Sequence, residues 1–387
     1  MQKQIFIALF PAVFAATLGM GIVAPLLPLY AQRYGAQGLA IGLIFASFSI
    51  SRTVLLPFIG RISDKRGRKV FITLGLLLLF FTSLGYVVSR SIEALIITRM
   101  LQGIAAALVI PIALAYMGEI TPRGKEGVSM GMFNIFFFAG LATGPILGGI
   151  VKDLMGVEFS FYSMGVVALT GFFLTLFFLP ESSVPRHTPH HFWDSLRWIL
   201  EADRIKGIYL FRLFFAVGIG LTWSFLPIYG HDVMGLTSSY IGLVISLNIL
   251  VATILQAPCG ILADRFNKEG LVILGGCLAA AALSLIPLTR NFAELLSVNI
   301  LWGVGGGFAM PALSALAVEE GKRVGGMGTV MSILVMCHSI GMIIGPLLAG
   351  AIAEFLNITI VFFAAAFTGL IGVGVFAILL RRPAGQA

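Results

Sequence analysis

Charge is scarce in this sequence. Asp, Glu, Lys and Arg together make up 11% of its 387 residues, against about 25% in a soluble domain. With 58% hydrophobic residues and a mean hydropathy of +1.01, so little charge cannot clothe a water-facing surface, and the core has to face lipid. Cysteine is nearly absent. Cys259, Cys277 and Cys337 lie in or beside apolar runs and offer neither zinc spacing nor a disulfide framework. Also missing are a nucleophile elbow, a phosphate loop and a nucleotide fingerprint. The expectation is therefore a non-enzyme without metal or cofactor, not driven by ATP bound to this chain. His187, His190 and His191 cluster with no carboxylate or cysteine at ligand spacing and are expected to be solvated.

Long apolar runs dominate what is present. Twelve can be drawn, at about 5–30, 39–59, 70–88, 94–117, 128–151, 159–179, 207–229, 238–258, 271–288, 293–316, 327–352 and 357–380, each near the 20 residues or so that cross a bilayer. The net charge of +8 is a topology signal within this pattern. With the N-terminus placed in the cytoplasm, eighteen of the 25 Lys and Arg fall on that side, from Lys3 through the Arg61–Lys69 cluster to Arg381 and Arg382. Only Arg33, Arg90, Lys152 and Arg290 fall opposite. The positive-inside rule then puts both termini in the cytoplasm, and no nucleic-acid partner is needed to account for the basic charge. The first run follows Met1-Gln-Lys3 and is too long for a signal-peptide core, so it is expected to be a retained helix.

The chain repeats with a period near 200. Ile41-Gly-Leu-Ile44 matches Ile241-Gly-Leu-Val244, Gly60 to Asp64 matches Gly260 to Asp264, and Gly103, Pro111 and Glu119 match Gly303, Pro311 and Glu319. With a slip of one residue, Leu27-Pro-Leu-Tyr30 matches Leu226-Pro-Ile-Tyr229 and Gly144-Pro145 matches Gly345-Pro346. Six runs per half, an even number, relate the halves by an axis along the membrane normal. The expected organisation is an N-terminal six-helix bundle over 1–180, a cytoplasmic linker over 181–206, and a C-terminal six-helix bundle over 207–387. The apolar spacing of Trp193 and Trp198 gives the linker a surface amphipathic helix.

Three motifs carry mechanism. After the second run comes Gly60-Arg-Ile-Ser-Asp64-Lys-Arg-Gly67-Arg68-Lys69. Gly67 permits a tight turn, Asp64 can meet helix N-terminal amides or basic groups, and Arg68 can pair with a carboxylate, for which Glu119 at the end of the fourth run is the candidate. The fourth run begins Thr98-Arg99-Met-Leu-Gln102-Gly103. The fifth carries Gly131, Gly140, Gly144-Pro145 and Gly148-Gly149, whose small residues let helix backbones approach closely while Pro145 bends the span. The glycine face is expected to pack against a span of the other half.

These motifs and the repeat resemble those of the major facilitator superfamily, and in particular its twelve-span drug:proton antiporters. The resemblance covers the whole chain; Lys65 stands where the family most often has Arg. It implies an all-α membrane protein, twelve transmembrane helices in two six-helix bundles, that works by alternating access. It further implies multidrug efflux and antibiotic resistance, protons and small molecules as partners in the lipid bilayer, and a monomer in the bacterial cytoplasmic (inner) membrane. The first loop becomes a cytoplasmic gate of Gly60, Asp64, Gly67, Arg68, Lys69 and Glu119, and the fifth-span pattern an exporter's packing motif. Arg99 is implicated in proton transfer or in holding an anionic group, with snorkelling to the nearer surface as the alternative.

One family feature is missing. All 17 acids fall in loops or at run ends, so no mid-span carboxylate is available as proton carrier or counter-charge for a cationic drug. The coupling candidates are Arg99, Glu119 and His338; the last is either a titrating group or a core histidine. Arg52, mid-run and flanked by Ser47, Ser49, Ser51 and Thr53, suits an anionic substrate, or else pairs with backbone carbonyls. With Arg52, the residues Asn134, Trp223, Asn248, Gln256 and His338 are the expected lining of a substrate cavity. Export or exchange of an anionic metabolite or lipid is the alternative function.

Overall fold

The computed structural model describes residues 2–121, 126–181, 203–323 and 327–380. The helix expected in the linker and the histidines His187, His190 and His191 lie outside these residues. The described residues are almost entirely helical, with no strand among them, and hold twelve helices long and apolar enough to cross a membrane. These are α1 (Gln2–Gln32), α2 (Gly38–Arg66), α3 (Lys69–Val88), α4 (Ile92–Ile120), α5 (Glu126–Met155), α6 (Val157–Phe178), α7 (Asp203–Ile228), α8 (Ser238–Arg265), α9 (Lys268–Leu285), α10 (Phe292–Arg323), α11 (Met327–Phe355) and α12 (Ile358–Leu380). All twelve expected runs appear as helices. Several are longer than the apolar stretch alone, because polar residues at a bilayer surface can still join a helix. α10, for example, runs seven residues past the expected end at 316 and carries Glu319 and Glu320 in its last turns.

Short connections follow from local chemistry. Ser91 caps α4 by accepting from the N–H of Ala94 at 3.2 Å, and Asn267 caps α9 by accepting from the N–H groups of Glu269 and Gly270. Gly67, at φ 91°, makes the turn between α2 and α3. A single turn of π-helix, Tyr229–Val233, extends α7.

The chain divides into two compact units. One comprises Met1–His187 together with Leu226–Ser246, the other Thr188–Phe225 together with Leu247–Ala387. In the first, α1 is the most buried helix and packs along α5 and α6, while α3 lies against α4 and α6 and α2 against α4. The second unit pairs α9 with α10 and α12, and α11 with α10 and α12. The tip formed by the end of α7 and the start of α8 groups with the first unit because it is tied there. Gln32 donates to Asp232 at 2.9 Å, and the Asp153 carboxylate accepts from the N–H groups of Ser238 and Ser239 at 3.3 and 2.7 Å.

The glycines of α5 show where close packing is needed. A Cβ at Gly144 would stand 2.6 Å from the Cα of Gly21, and one at Gly148 would stand 3.2 Å from the Cα of Ile22; Gly140 meets the Thr17 hydroxyl and the Phe14 carbonyl. These three glycines therefore face α1 of their own half, not a span of the other half, which corrects the expected packing. Only Gly149 turns elsewhere, onto the carbonyl of Ser238 at the start of α8, and nearby Gly242 meets the carbonyl of Pro145. Gly131 is a second correction: a Cβ there would meet nothing within 4 Å, so no neighbour requires a glycine. The same join recurs in the second unit. Gly345 lies against Gly220 and Val217, and a Cβ on Gly220 would stand 2.7 Å from the Cδ of Pro346.

Candidate functional site

Arg68 and Glu119 meet. The Arg68 Nε and Nη2 donate to Glu119 Oε1 at 3.0 and 2.8 Å, and Nη1 donates to the Ser63 hydroxyl at 2.6 Å. Both partners are largely withdrawn from solvent, with side chains 9% and 20% exposed. Geometry holds such a pair, because two donors of one planar guanidinium converge on a single carboxylate oxygen. The neighbouring turn is built around Glu181, which follows the first six helices. Its Oε1 accepts from the N–H of Lys69 at 3.1 Å and lies where a Cβ on Gly67 would stand, so Gly67 is needed both for its positive φ and for this approach. Lys69 contributes its backbone here. Gly60 has open space around its Cα, and its carbonyl accepts from the Ser63 hydroxyl at 2.8 Å. The side chain of Asp64 lies outside the described residues.

The second unit carries a counterpart that its sequence only half announces. Lys268 and Glu319, each 200 residues after Arg68 and Glu119, form an ion pair at 2.9 Å. Beside them Arg204 bridges Glu269 at 3.1 Å and Glu320 at 3.2 Å, and Glu320 is 1% exposed. In the sequence Glu320 reads as an ordinary span-end acid. Its one signal is its position next to the repeat-matched Glu319, and no pattern points to Arg204 at the start of α7.

Deeper in the first unit, Arg99 is 6% exposed and donates to Gln102 Oε1 at 2.6 Å. Gln102 also accepts from the Tyr86 hydroxyl at 2.7 Å. The Arg99 guanidinium lies over the rings of Phe45 and Phe48, at 5.1 and 4.9 Å from their centroids, a double cation–π contact supplied by α2. Arg99 is thus housed in the protein interior and does not reach for a surface. The close seating of α4 on α2 comes from Gly103, which meets the Phe48 carbonyl and the Ser51 hydroxyl, and from the Ser51 hydroxyl donating to the Met100 carbonyl at 2.8 Å.

Arg52 lies on α2, half-buried; its Nε is withdrawn from solvent and makes no hydrogen bond. None of the ion pairs among the described residues includes it. In the second unit Arg212, another intramembrane arginine, donates to the thioether sulfur of Met310 at 2.7 Å, a weak acceptor, and likewise has no carboxylate among the described residues. The remaining expected lining residues divide by unit. Asn134 is exposed on α5 of the first. In the second, Trp223, Gln256 and His338 are half-buried, and Asn248 is buried with its amide donating to the Asn299 carbonyl at 2.8 Å, where it ties α8 to α10. Among the described residues no group of His, Cys, Asp and Glu could hold a metal ion.

Known proteins resemble the chain over nearly its whole length. It is 28% identical to multidrug resistance protein 2 of Bacillus subtilis, across 96% of this chain and 94% of that one. With the quinolone resistance protein NorA of Staphylococcus aureus it shares 24% identity over 92% and 91%. Its fold matches that of the nucleoside transporter NupG, with a TM-score of 0.80 at 15% identity over 97% of this chain and 98% of that one. The family model for the Major Facilitator Superfamily matches residues 9–328 and 208–387, and with twelve spans arranged in a repeat the chain belongs to that superfamily as a multi-pass membrane transporter.

Proposed function

We propose that this transporter exports amphipathic small molecules by alternating access, driven by protons moving the other way, from the cytoplasmic membrane of a bacterium. The observation that carries the reading is the glycine–proline run of α5, Gly140 to Gly149. Its sequence resembles the antiporter motif, and its glycines permit backbone contact with α1 and with the start of α8. Full-length similarity to proteins named for multidrug and quinolone resistance supports the same direction of transport. For the proton, Glu119 is the strongest of the candidates Arg99, Glu119 and His338. It is a carboxylate in an ion pair with Arg68, so protonation would release the pair and free the end of α4 from the turn between α2 and α3. The pair is then a gate that the proton opens.

The test is transport by the purified protein in vesicles. With a pH gradient imposed, a fluorescent amphipathic dye should accumulate against its own gradient, and a protonophore should abolish the accumulation. Dye movement indifferent to the gradient, or none at all, would overturn the reading. Glu119→Gln should lower gradient-driven movement at least tenfold while leaving exchange down a dye gradient measurable.

A further inference from the structure

The apolar spans of this protein hold three arginines, and Arg52 is the one in the first unit to which the described residues bring neither a hydrogen-bond acceptor nor an aromatic face. Helix register places it. Phe45, Phe48 and Arg52 follow one another at three and four residues, so they form one stripe along α2. Arg99 lies over the first two members of that stripe. Arg52 is one turn farther along, about 6 Å beyond Phe48 and about 12 Å inside the Gly60 end of the span. Exposure rises along the stripe: Phe45 is buried, while Phe48 and Arg52 are half-buried. The polar neighbours do not supply a partner. The hydroxyls of Ser47 and Ser51 bond to backbone carbonyls. The hydroxyl of Thr53 is buried with no hydrogen bond of its own.

A charged guanidinium inside an apolar span is costly unless something compensates it. Arg99 obtains its compensation from Gln102 and two aromatic faces. Arg52 obtains none from the described residues, and one turn from a second cation its position favours an anion more strongly still. Its fork of donors is matched by a carboxylate or another oxyanion of similar shape, and the helix stripe it shares is apolar over the turn before it, at Phe48. We propose that Arg52 is the anchor for the anionic group of an amphipathic cargo, so that the molecules this protein exports carry a carboxylate or comparable oxyanion next to an apolar body. The proposal rests on the export reading above and names its substrate class.

Two matched probes test it on the full-length protein in detergent: dansylglycine, which carries a carboxylate, and its neutral amide, dansylglycinamide. The native protein should bind the acid at least tenfold more tightly. Arg52→Gln should erase that preference while the amide binds as before. Arg52→Lys, which keeps the charge but loses the fork, should retain part of it. Equal binding of the two probes by the native protein, or an undiminished preference in Arg52→Gln, would overturn the proposal, as would failure of the acid to bind at all. An unchanged melting temperature in Arg52→Lys guards against misfolding as the cause. The outcomes separate from those of the vesicle experiment. Gradient-driven movement of a neutral dye without carboxylate preference leaves export standing and removes Arg52. Carboxylate preference without any gradient-driven transport does the reverse.

Discussion

Single residues decide most of what this fold can do, because a bilayer offers a polar group little water to turn to when it loses a partner. In water an ion pair such as Arg68–Glu119 would compete with solvation and contribute little. Here both side chains are mostly withdrawn from solvent, and Ser63 holds a third donor of the guanidinium. Removing one partner leaves the other short of a bond that stabilises by about 1.5–3 kcal/mol. Arg68→Glu alone should therefore abolish dye export from vesicles, and Glu119→Arg alone should do the same. The double swap should recover at least a tenth of native activity, since the pair is rebuilt with its charges exchanged. No recovery in the swap would show that the two residues do not act as a pair. Arg68 and Glu119 are legible in the sequence because the motif spacing singles out one and the repeat the other. Arg204 and Glu320 are not, since a contact between the start of α7 and the end of α10 spans over a hundred positions and leaves no local pattern.

At the scale of elements, packing depends on which glycines touch backbone. Gly131 and Gly144 look equivalent in sequence, both in one glycine-rich run of α5, yet their surroundings differ. A methyl group at Gly144 would push into the backbone of Gly21 and Leu18, whereas at Gly131 it would meet nothing within 4 Å. Gly144→Ala should destabilise the protein by about 1–3 kcal/mol through overpacking, and Gly131→Ala should stay within about 0.5 kcal/mol of native. Thermal unfolding in detergent measures both; equal losses would contradict the packing described. The direction of the glycine face is not legible from composition, because a glycine-rich stripe shows only that some backbone comes near. The structure assigns that backbone to α1, with Gly149 alone turned to α8. The Asp153 cap on α8 is equally hidden, since a carboxylate at the end of one span says nothing about which helix N-terminus it will find.

For the whole molecule, the repeat and the basic residues make the strongest statement. Each unit contains a glycine–proline join, between α1 and α5 in the first and between α7 and α11 in the second. Each also contains an ion pair after its second helix, Arg68–Glu119 and Lys268–Glu319. The loss of Gly67 and Arg68 from the second copy suggests a faded motif, but Asn267 caps the helix and Lys268 takes the pairing role. The 18-to-4 distribution of Lys and Arg in the sequence leads to a further expectation. Green fluorescent protein fused to either terminus should fluoresce in intact cells, and alkaline phosphatase fused at either should stay inactive, because the basic loops resist translocation. Active phosphatase at one terminus would break the even-span topology.

Twelve apolar runs, their internal repeat and the superfamily motifs were determined by the sequence alone, since lipid demands about 20 apolar residues per span and tolerates few charges. The shortage of mid-span acids and the surplus of arginines were equally plain from composition. Only the tertiary structure decided which of those arginines are satisfied. Arg99, in a recognisable motif, and Arg52, outside any, are each a lone cation in an apolar span. Both leave a buried Nε unbonded, but Arg99 has Gln102 one turn along its own helix and two phenyl rings brought by α2, whereas no acceptor or ring among the described residues meets Arg52. The rings come from a helix some fifty residues away, whose facing is set by close packing at positions such as Gly103, so how far a buried charge is compensated depends on the fold as well as on the run that carries it.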